Sequence, residues 1–243
     1  MLSIVVVIAA LVIHYYNAPG MHYFEESPKI IHQTWDSWES IPPCCYAVIK
    51  RVQEKNKDWK YMFYNIQERR ALIENNLDDK ILRAFDKLPT STTQSDLFRV
   101  CCLYVHGGFY MDCKSECGSL SSLNLDGKLL YCKWPYGIDS SDHRQHAATT
   151  FLLWPKGHQV LKAVIDEITK RIHARSVPYI RKNVTWTTGP NVYATIVCKK
   201  VADRCMCRTD NYMNGFFVHD GTNGEYYDYM KSRNLHWSQQ KSG

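Results

Sequence analysis

The chain has 243 residues, of which 45% are hydrophobic and 13% aromatic, a composition that suits one large folded domain with a substantial core. Its 30 Lys and Arg against 24 Asp and Glu leave a net charge of +6, spread along the chain without a long basic block. That spread argues against a nucleic-acid partner, which calls for a concentrated basic stripe, and suits attraction to a small anionic ligand or an anionic membrane surface.

At the N-terminus, residues 2–13 form an apolar run. As a helix it would rise about 18 Å, short of a hydrocarbon core near 30 Å even with His14, Tyr15 and Tyr16 as interfacial anchors. No Lys or Arg precedes Lys29, and a small-x-small cleavage site is missing. An uncleaved signal-anchor is therefore expected, with a cleaved signal or a buried segment as the alternatives. Asn17-Ala18-Pro19-Gly20 reads as a linker, which divides residues 1–20 from a single domain at 21–243.

Residues 29–34 predict a short apolar strand, 44–54 a helix after Pro42-Pro43, 59–64 a second strand, and 78–88 a helix stopped by Pro89. Ser91 and Gln94 have the spacing of a capping box, opening a helix to about residue 105 with Leu97, Val100, Cys101 and Tyr104 as its buried stripe. Gly107-Gly108 ends that helix, and 109–112 read as a strand with Asp112 at its end. Further strands are expected at 128–133 and 149–154. Residues 158–172 place Leu161, Val164, Ile165, Ile168 and Ile172 at helical spacing, and 190–201 predict a helix begun by Pro190. A brief strand at 216–218 precedes a tyrosine-rich tail of loop and terminal helix. This alternation gives an α/β class, a mostly parallel sheet with helices on both faces.

The ten cysteines leave the redox compartment open. Cys44-Cys45 and Cys101-Cys102 are vicinal pairs, and the second pair lies in an apolar helix where cysteine behaves as a small hydrophobe. Cys198, Cys205 and Cys207 suit a disulfide or part of a zinc site, although no second Cys-x-x-Cys knuckle is present. Asn183-Val184-Thr185 is an N-glycosylation sequon, relevant where the domain faces a secretory lumen.

The chemistry concentrates between Ser95 and Glu116. Asp96 and Arg99 stand one helical turn apart, so their side chains can meet or share a ligand. A glycine pair, a short strand and the carboxylate of Asp112 follow. Ser95-Asp96-x-x-Arg99 with Gly107-Gly108-x-Tyr110-x-Asp112 resembles the sugar-binding region of the DxD-containing glycosyltransferases of family 32. That family includes yeast-type mannosyltransferases and sphingolipid glycosyltransferases and is distantly related to the clostridial glucosylating toxins. Residues 28–35 resemble the family's opening strand, 58–64 its second, Thr188-Gly189-Pro190 its downstream turn, and His236-Trp237-Ser238 its terminal aromatic segment. In order, these blocks cover roughly residues 28 to 238.

The resemblance implies a GT-A fold, a Rossmann-like domain with its donor at the carboxyl ends of the strands. It implies a retaining hexosyl transfer from a UDP- or GDP-sugar to a glycan, glycolipid or glycoprotein acceptor. It also implies a divalent cation, Mn2+ or Mg2+, and a membrane-associated enzyme facing a Golgi-like lumen. Carried over residue by residue, Gln33 and Thr34 would contact the base or ribose and Trp35 would stack there. Asp96 and Arg99 would grip the sugar hydroxyls and phosphate. Asp112 would meet the metal or diphosphate, His219 would be a late metal ligand, and His236 with Trp237 would close over the donor. Residues 136–146 are where acceptor contacts are expected.

One departure stands out. The family's Asp-x-Asp reads Asp112-Cys113-Lys114 here. Residues two apart on a strand share a face, so Lys114 is expected to point toward the ligand as Asp112 does. It would then set an ammonium against the phosphates, or pair with Asp112 and weaken a metal site, with Glu116 as a candidate replacement carboxylate. The same lysine supports an alternative function, a sugar-binding module that keeps the fold and has lost catalysis. A glycosidase is disfavoured because no paired acids are evident.

Overall fold

Short segments, too short and mostly too β-branched or aromatic for stable helices, line up as the strands that carry the site. The computed structural model describes residues 27–123, 129–133, 147–201, 205–208, 216–218 and 224–233. The apolar N-terminal run, residues 136–146, His219, His236 and Trp237 lie outside the described residues.

In chain order the elements that matter are β1 (Ile30–Thr34), α1 (Pro43–Lys55), β2 (Lys60–Tyr64), α2 (Ile66–Asn76), α3 (Asp79–Lys87), α4 (Ser91–His106), β3 (Gly108–Met111), β4 (Glu116–Cys117), β5 (Leu129–Lys133) and β6 (Ala147–Trp154). They continue as α5 (Gln159–His173), α6 (Val177–Lys182), α7 (Val184–Thr187), α8 (Pro190–Val201), β7 (Cys205–Arg208), β8 (Phe217–Val218) and α9 (Glu225–Ser232). The six-stranded sheet runs β2-β1-β3-β6-β5-β7, and a separate pair joins β4 to β8. β1 is parallel to β2 and β3, β5 is parallel to β7, and β6 is antiparallel to both its neighbours. One reversed strand in an otherwise parallel sheet is the expected α/β arrangement.

Alternation along the strands sends side chains to two cores. Phe109, Met111, Phe151 and Leu153 pack with Ile31 and with Val48 and Val52 of α1 on one face. Tyr110, Leu152 and Trp154 face the other way, into a larger core with Ile73, Phe85, Leu97, Phe98 and Ile165. Helices therefore cover both faces. No helix among the described residues is long and apolar enough to cross a membrane.

Several boundaries differ from the sequence expectation. The capping box of α4 is built by Thr90 and Thr93, not by Ser91 and Gln94. Thr90 keeps an extended backbone, its hydroxyl accepts from the Thr93 amide, and the Thr93 hydroxyl accepts from the Thr90 amide, at 3.2 Å each. β3 ends at Met111, one residue before Asp112. α2 was not anticipated, although Asn65 and Glu68 form a reciprocal capping box at its start, a signal present in the sequence. Among the described side chains, Cys44, Cys45, Cys101, Cys102, Cys113 and Cys117 form no disulfide, and all but Cys44 are buried.

The glycine pair between α4 and β3 is required by geometry. Gly107 and Gly108 have φ of +68° and +97°. A Cβ on Gly107 would lie 2.6 Å from the Lys156 amide nitrogen, and one on Gly108 2.6 Å from the Ile30 carbonyl. This close approach lets buried His32 donate from Nε2 to the Gly107 carbonyl at 2.8 Å, while its Nδ1 accepts from the Tyr64 hydroxyl at 3.1 Å. The turn that launches β3 is thus locked to β1.

Candidate active site

A cleft of about 390 Å³ opens where β1 and β3 end. Thr34, Trp35 and Asp36 line it after β1, and Asp112, Cys113 and Lys114 after β3. The first turn of α4 and one side of α9 complete the walls.

Arg99 is its electrostatic centre. The side chain reaches the cleft from α4 although the residue is only 7% exposed. Nη2 donates to Asp96 Oδ1 at 2.7 Å, and Nη1 donates to the Thr149 carbonyl at 2.7 Å and hydroxyl at 2.8 Å. The same Nη1 lies 3.8 Å from Asp112 Oδ1, and the guanidinium sits 5.1 Å from the centre of the Tyr110 ring. Burial works against the charge of Arg99, but Tyr110, Asp96 and Asp112 outweigh it and hold the guanidinium more basic than usual. The Thr149 carbonyl is available because β6 bulges there. Pairing with β5 jumps from Leu152 opposite Tyr131 to Ala148 opposite Cys132, so Thr149 leaves that ladder.

Asp96 stands behind Arg99 and does not line the cleft. Burial pushes its carboxyl upward, opposed by Arg99 and by the Thr188 hydroxyl, which donates to Oδ2 at 3.0 Å. The Thr-Gly-Pro block thus buttresses Asp96. Gly189 packs closely here: a Cβ on it would lie 3.0 Å from Thr185 Cα and 3.5 Å from Asp96 Oδ2. The pair is a buried network, not a solvent-exposed ion pair, so its members depend on one another.

Asp112 is partly exposed, takes a 3.3 Å hydrogen bond from the Tyr110 hydroxyl on Oδ1, and has its amide held by the Thr150 carbonyl at 3.2 Å. Lys114 lines the same cleft, though not for the expected reason. It lies in a turn beyond β3, where strand alternation no longer applies, and its ammonium is 5.0 Å from the ring centre of Tyr226 and 5.9 Å from that of Tyr227. These α9 tyrosines, rather than Asp112, hold it.

Two expected roles are corrected. Glu116 does not replace the missing carboxylate. It sits in β4, away from the cleft, clamped by Arg51 at 2.9 Å and Lys55 at 2.7 Å. Burial opposes its charge, but those two donors prevail and hold its carboxyl below the ordinary range. Gln33 is fully buried and does not line the cleft, because its neighbour Thr34 takes the cleft-facing side of the strand. Its amide donates to the Asp112 carbonyl at 3.3 Å and accepts from the Tyr61 hydroxyl at 2.8 Å, so it positions Asp112 from behind. Trp35 lines the cleft, its indole donating to the Ser40 carbonyl at 3.2 Å and meeting Tyr226 edge-on.

The structure adds groups that sequence reasoning missed. Asp36 lines the cleft and is held by Ser91 and by Arg69, whose Nη2 is 3.3 Å away. Arg69 is fully buried, also bonds Ser91 and Ser95, and its Nε has no partner among the described residues. Burial lowers its basicity, and Asp36 opposes that. An arginine at helical spacing with Leu72 and Ile73 was the available signal, an ionic group inside an apolar stripe. Tyr226 and Tyr229 of α9 carried only a compositional signal.

The donor set bears on a metal. Among the described residues no three His, Cys, Asp or Glu side chains are grouped to hold an ion. Asp112 is the retained carboxylate of the motif, Asp36 is committed to Arg69 and Ser91, and Lys114 brings positive charge where a second carboxylate would stand. The described residues alone do not make a complete cation site.

A parallel-type sheet with a polar cleft at its carboxyl edge, a carboxylate just past a central strand and an arginine on the helix before that strand define a GT-A-like α/β domain. Residues 42–123 match the family described as glycosyltransferase sugar-binding region containing DXD motif. The inositol phosphoceramide mannosyltransferase 3 of Schizosaccharomyces pombe is 28% identical over 168 residues, covering 67% of this chain and 42% of the relative. An uncharacterized glycosyltransferase, L373, of Acanthamoeba polyphaga mimivirus is 31% identical over 171 residues, covering 68% and 62%. The chain thus spans less than two thirds of the length of these relatives. In fold it is similar to the PaToxG glycosyltransferase, with a TM-score of 0.57 over 87% of this chain and 79% of that one at 13% identity. The chain is thus similar to the DXD glycosyltransferases of the family-32 type.

Proposed function

We propose that the protein transfers a hexosyl unit from a UDP- or GDP-sugar to a hydroxyl of a glycan, glycolipid or glycoprotein acceptor, with retention at the anomeric carbon. The observation that carries this reading is the convergence of Arg99, Asp112 and Lys114 on one cleft at the carboxyl edge of the sheet. Trp35 and Thr34 would face the nucleoside, and the first turn of α4, with Ser91 and Thr92 in the wall, would offer the positive end of a helix to phosphate. Arg99, backed by Asp96, would bridge the sugar and the diphosphate. Lys114, loosely held by tyrosine faces, would follow the leaving group.

The step needs no protein nucleophile. The acceptor oxygen attacks the anomeric carbon on the face from which the diphosphate departs, and the new C–O bond forms as the bond to phosphate breaks. The electron pair and the acceptor proton both end on the leaving diphosphate. The protein positions the reactants and offsets the departing charge with the two cations. A divalent cation, Mn2+ or Mg2+, on Asp112 would supply further Lewis-acid neutralisation of the phosphates, with His219 the expected additional ligand. Membrane association through residues 1–20 belongs to the same reading.

The test is donor turnover across a panel of UDP- and GDP-sugars, with and without manganese. Hydrolysis or transfer with one donor class supports the proposal. Tight binding of a nucleoside diphosphate with no turnover of any donor favours the binding-module alternative, which Lys114 at the second motif position motivates. Binding of neither nucleotide overturns both.

A further inference from the structure

On the far side of Thr188 from the cleft, the end of α5 and the short helices α6 and α7 carry a second kind of chemistry. From residue 168 to 202 the sequence has no Asp or Glu, yet it includes Lys170, Arg171, Arg175, Arg181 and Lys182. Lys170 and Arg171 pair with Glu167 at 3.6 and 2.8 Å. Arg175, Arg181 and Lys182 are exposed and have no acidic partner among the described residues. Beside them Val177, Tyr179 and Trp186 are 36%, 41% and 50% exposed.

These apolar groups are held outward by a fixed frame. Ile180 is fully buried and anchors α6. Arg175 stacks 4.9 Å from the centre of the Tyr179 ring, and the Arg171 guanidinium donates to the Trp186 carbonyl, tying α7 to α5. The Asn183 side chain donates to the Tyr179 carbonyl at 2.9 Å across the junction of the two helices.

A tryptophan half in solvent, a tyrosine and unpaired cations match the two layers of a bilayer surface. Indole and phenol rings settle at headgroup depth, and cations meet anionic headgroups. An acidic protein would also match arginines and aromatic rings, which protein interfaces favour, but the absence of any Asp or Glu from residue 168 to 202 fits a uniformly anionic face better than a protein surface of mixed charge. We infer that this surface docks on an anionic lipid bilayer, with Trp186, Tyr179 and Val177 entering the headgroup layer. This contact is separate from the apolar N-terminal run and independent of the transferase reading. It lies two residues from Thr188, which holds Asp96, so a docked bilayer would adjoin the buttress of the candidate site. The sequon falls inside the surface, and a hydrated glycan on Asn183 would hold the bilayer away.

The experiment is flotation of the full-length chain, produced without N-glycosylation, on vesicles of phosphatidylcholine alone or mixed with phosphatidylserine. The difference between the two vesicles separates the charged contact from any uncharged insertion of residues 2–13. Phosphatidylserine should raise binding, and salt near 1 M, where the Debye length is about 3 Å, should abolish the gain. Each basic side chain near such a surface is worth roughly five-fold, so Arg181→Glu with Lys182→Glu should reduce the gain by at least about twenty-five-fold. Trp186→Ala, a solvent-exposed change that leaves the charges intact, should weaken binding to the anionic vesicles; matched melting curves check both variants. Equal binding to the two vesicles, or an unchanged gain in both variants, overturns the inference. So does binding to polyglutamate without binding to phosphatidylserine vesicles, which would assign the surface to an acidic protein. A glycan on Asn183 in protein from its native source, as a lumenal placement would produce, overturns it as well.

Discussion

Arg99 is where a single atom group serves both stability and chemistry. Its guanidinium neutralises Asp96 in the interior and presents what remains to the cleft. Arg99→Ala strands a buried carboxylate and should cost about 3–5 kcal/mol of stability by urea denaturation. Arg99→Lys keeps the charge but loses the fork that holds Asp96 and Thr149 together, so stability should recover further than turnover. Asp96→Asn should raise the transfer barrier by about 2–4 kcal/mol, read as kcat/KM, since it loosens the arginine without touching the cleft. Near-normal kinetics in a folded Asp96→Asn would remove the pair from the site. Lys114 makes a different prediction. If its ammonium offsets the diphosphate, the wild type should keep measurable turnover in EDTA, and Lys114→Ala should become more dependent on manganese. Lys114→Asp should tighten manganese binding by restoring a second carboxylate. A Lys114→Ala enzyme with unchanged turnover and metal response would show that this side chain stays with Tyr226 and Tyr227.

At the scale of elements, the α4–β3 turn sets the site, because every cleft residue after β3 inherits its position from that corner. Gly108→Ala forces a Cβ to 2.6 Å from the Ile30 carbonyl at a φ of +97°. A loss of more than about 2 kcal/mol in thermal or chemical unfolding is expected, with activity falling in step. A fully stable variant would show that the corner can relax. The adjoining His32 adds a pH dependence. Burial, with His106 and Lys60 nearby, lowers its pKa to about 4, against 6.5 in the unfolded chain. Between those values the unfolded chain holds the extra proton, so stability is complete above about pH 6.5 and declines as pH falls toward 4. The full swing is about 3 kcal/mol, and His32→Gln should flatten it in unfolding curves taken across that window. This corner was legible beforehand, since paired glycines between an amphipathic helix and an apolar strand admit few other readings. The role of His32 was not, because a lone histidine in a strand says nothing of the carbonyl it will meet from residue 107.

For the whole molecule, β-α alternation sufficed to give a mostly parallel sheet covered on both faces. The reversed direction of β6 was not legible, since a strand's sequence looks the same in either orientation. Within the site, residues linked by local spacing were found: Asp96 with Arg99, and Gly107-Gly108 with Asp112. Those joined only by folding were missed, as with Asp36 to Arg69 and Lys114 to the α9 tyrosines. The antiparallel pairing of β5 with β6 has a consequence of its own. Lys133 stands opposite Ala147, so the chain leaves the sheet and returns to it at one point, on the same edge as the cleft. Lengthening a connection whose ends are already together costs only about 0.6 kcal/mol per doubling. Residues 134–146 are therefore a natural cassette: a transplant of the corresponding segment from a relative should leave unfolding midpoints nearly unchanged while altering which hydroxyl compounds are accepted. Diversity among such proteins would then be written at this junction, with sheet and donor cleft inherited intact.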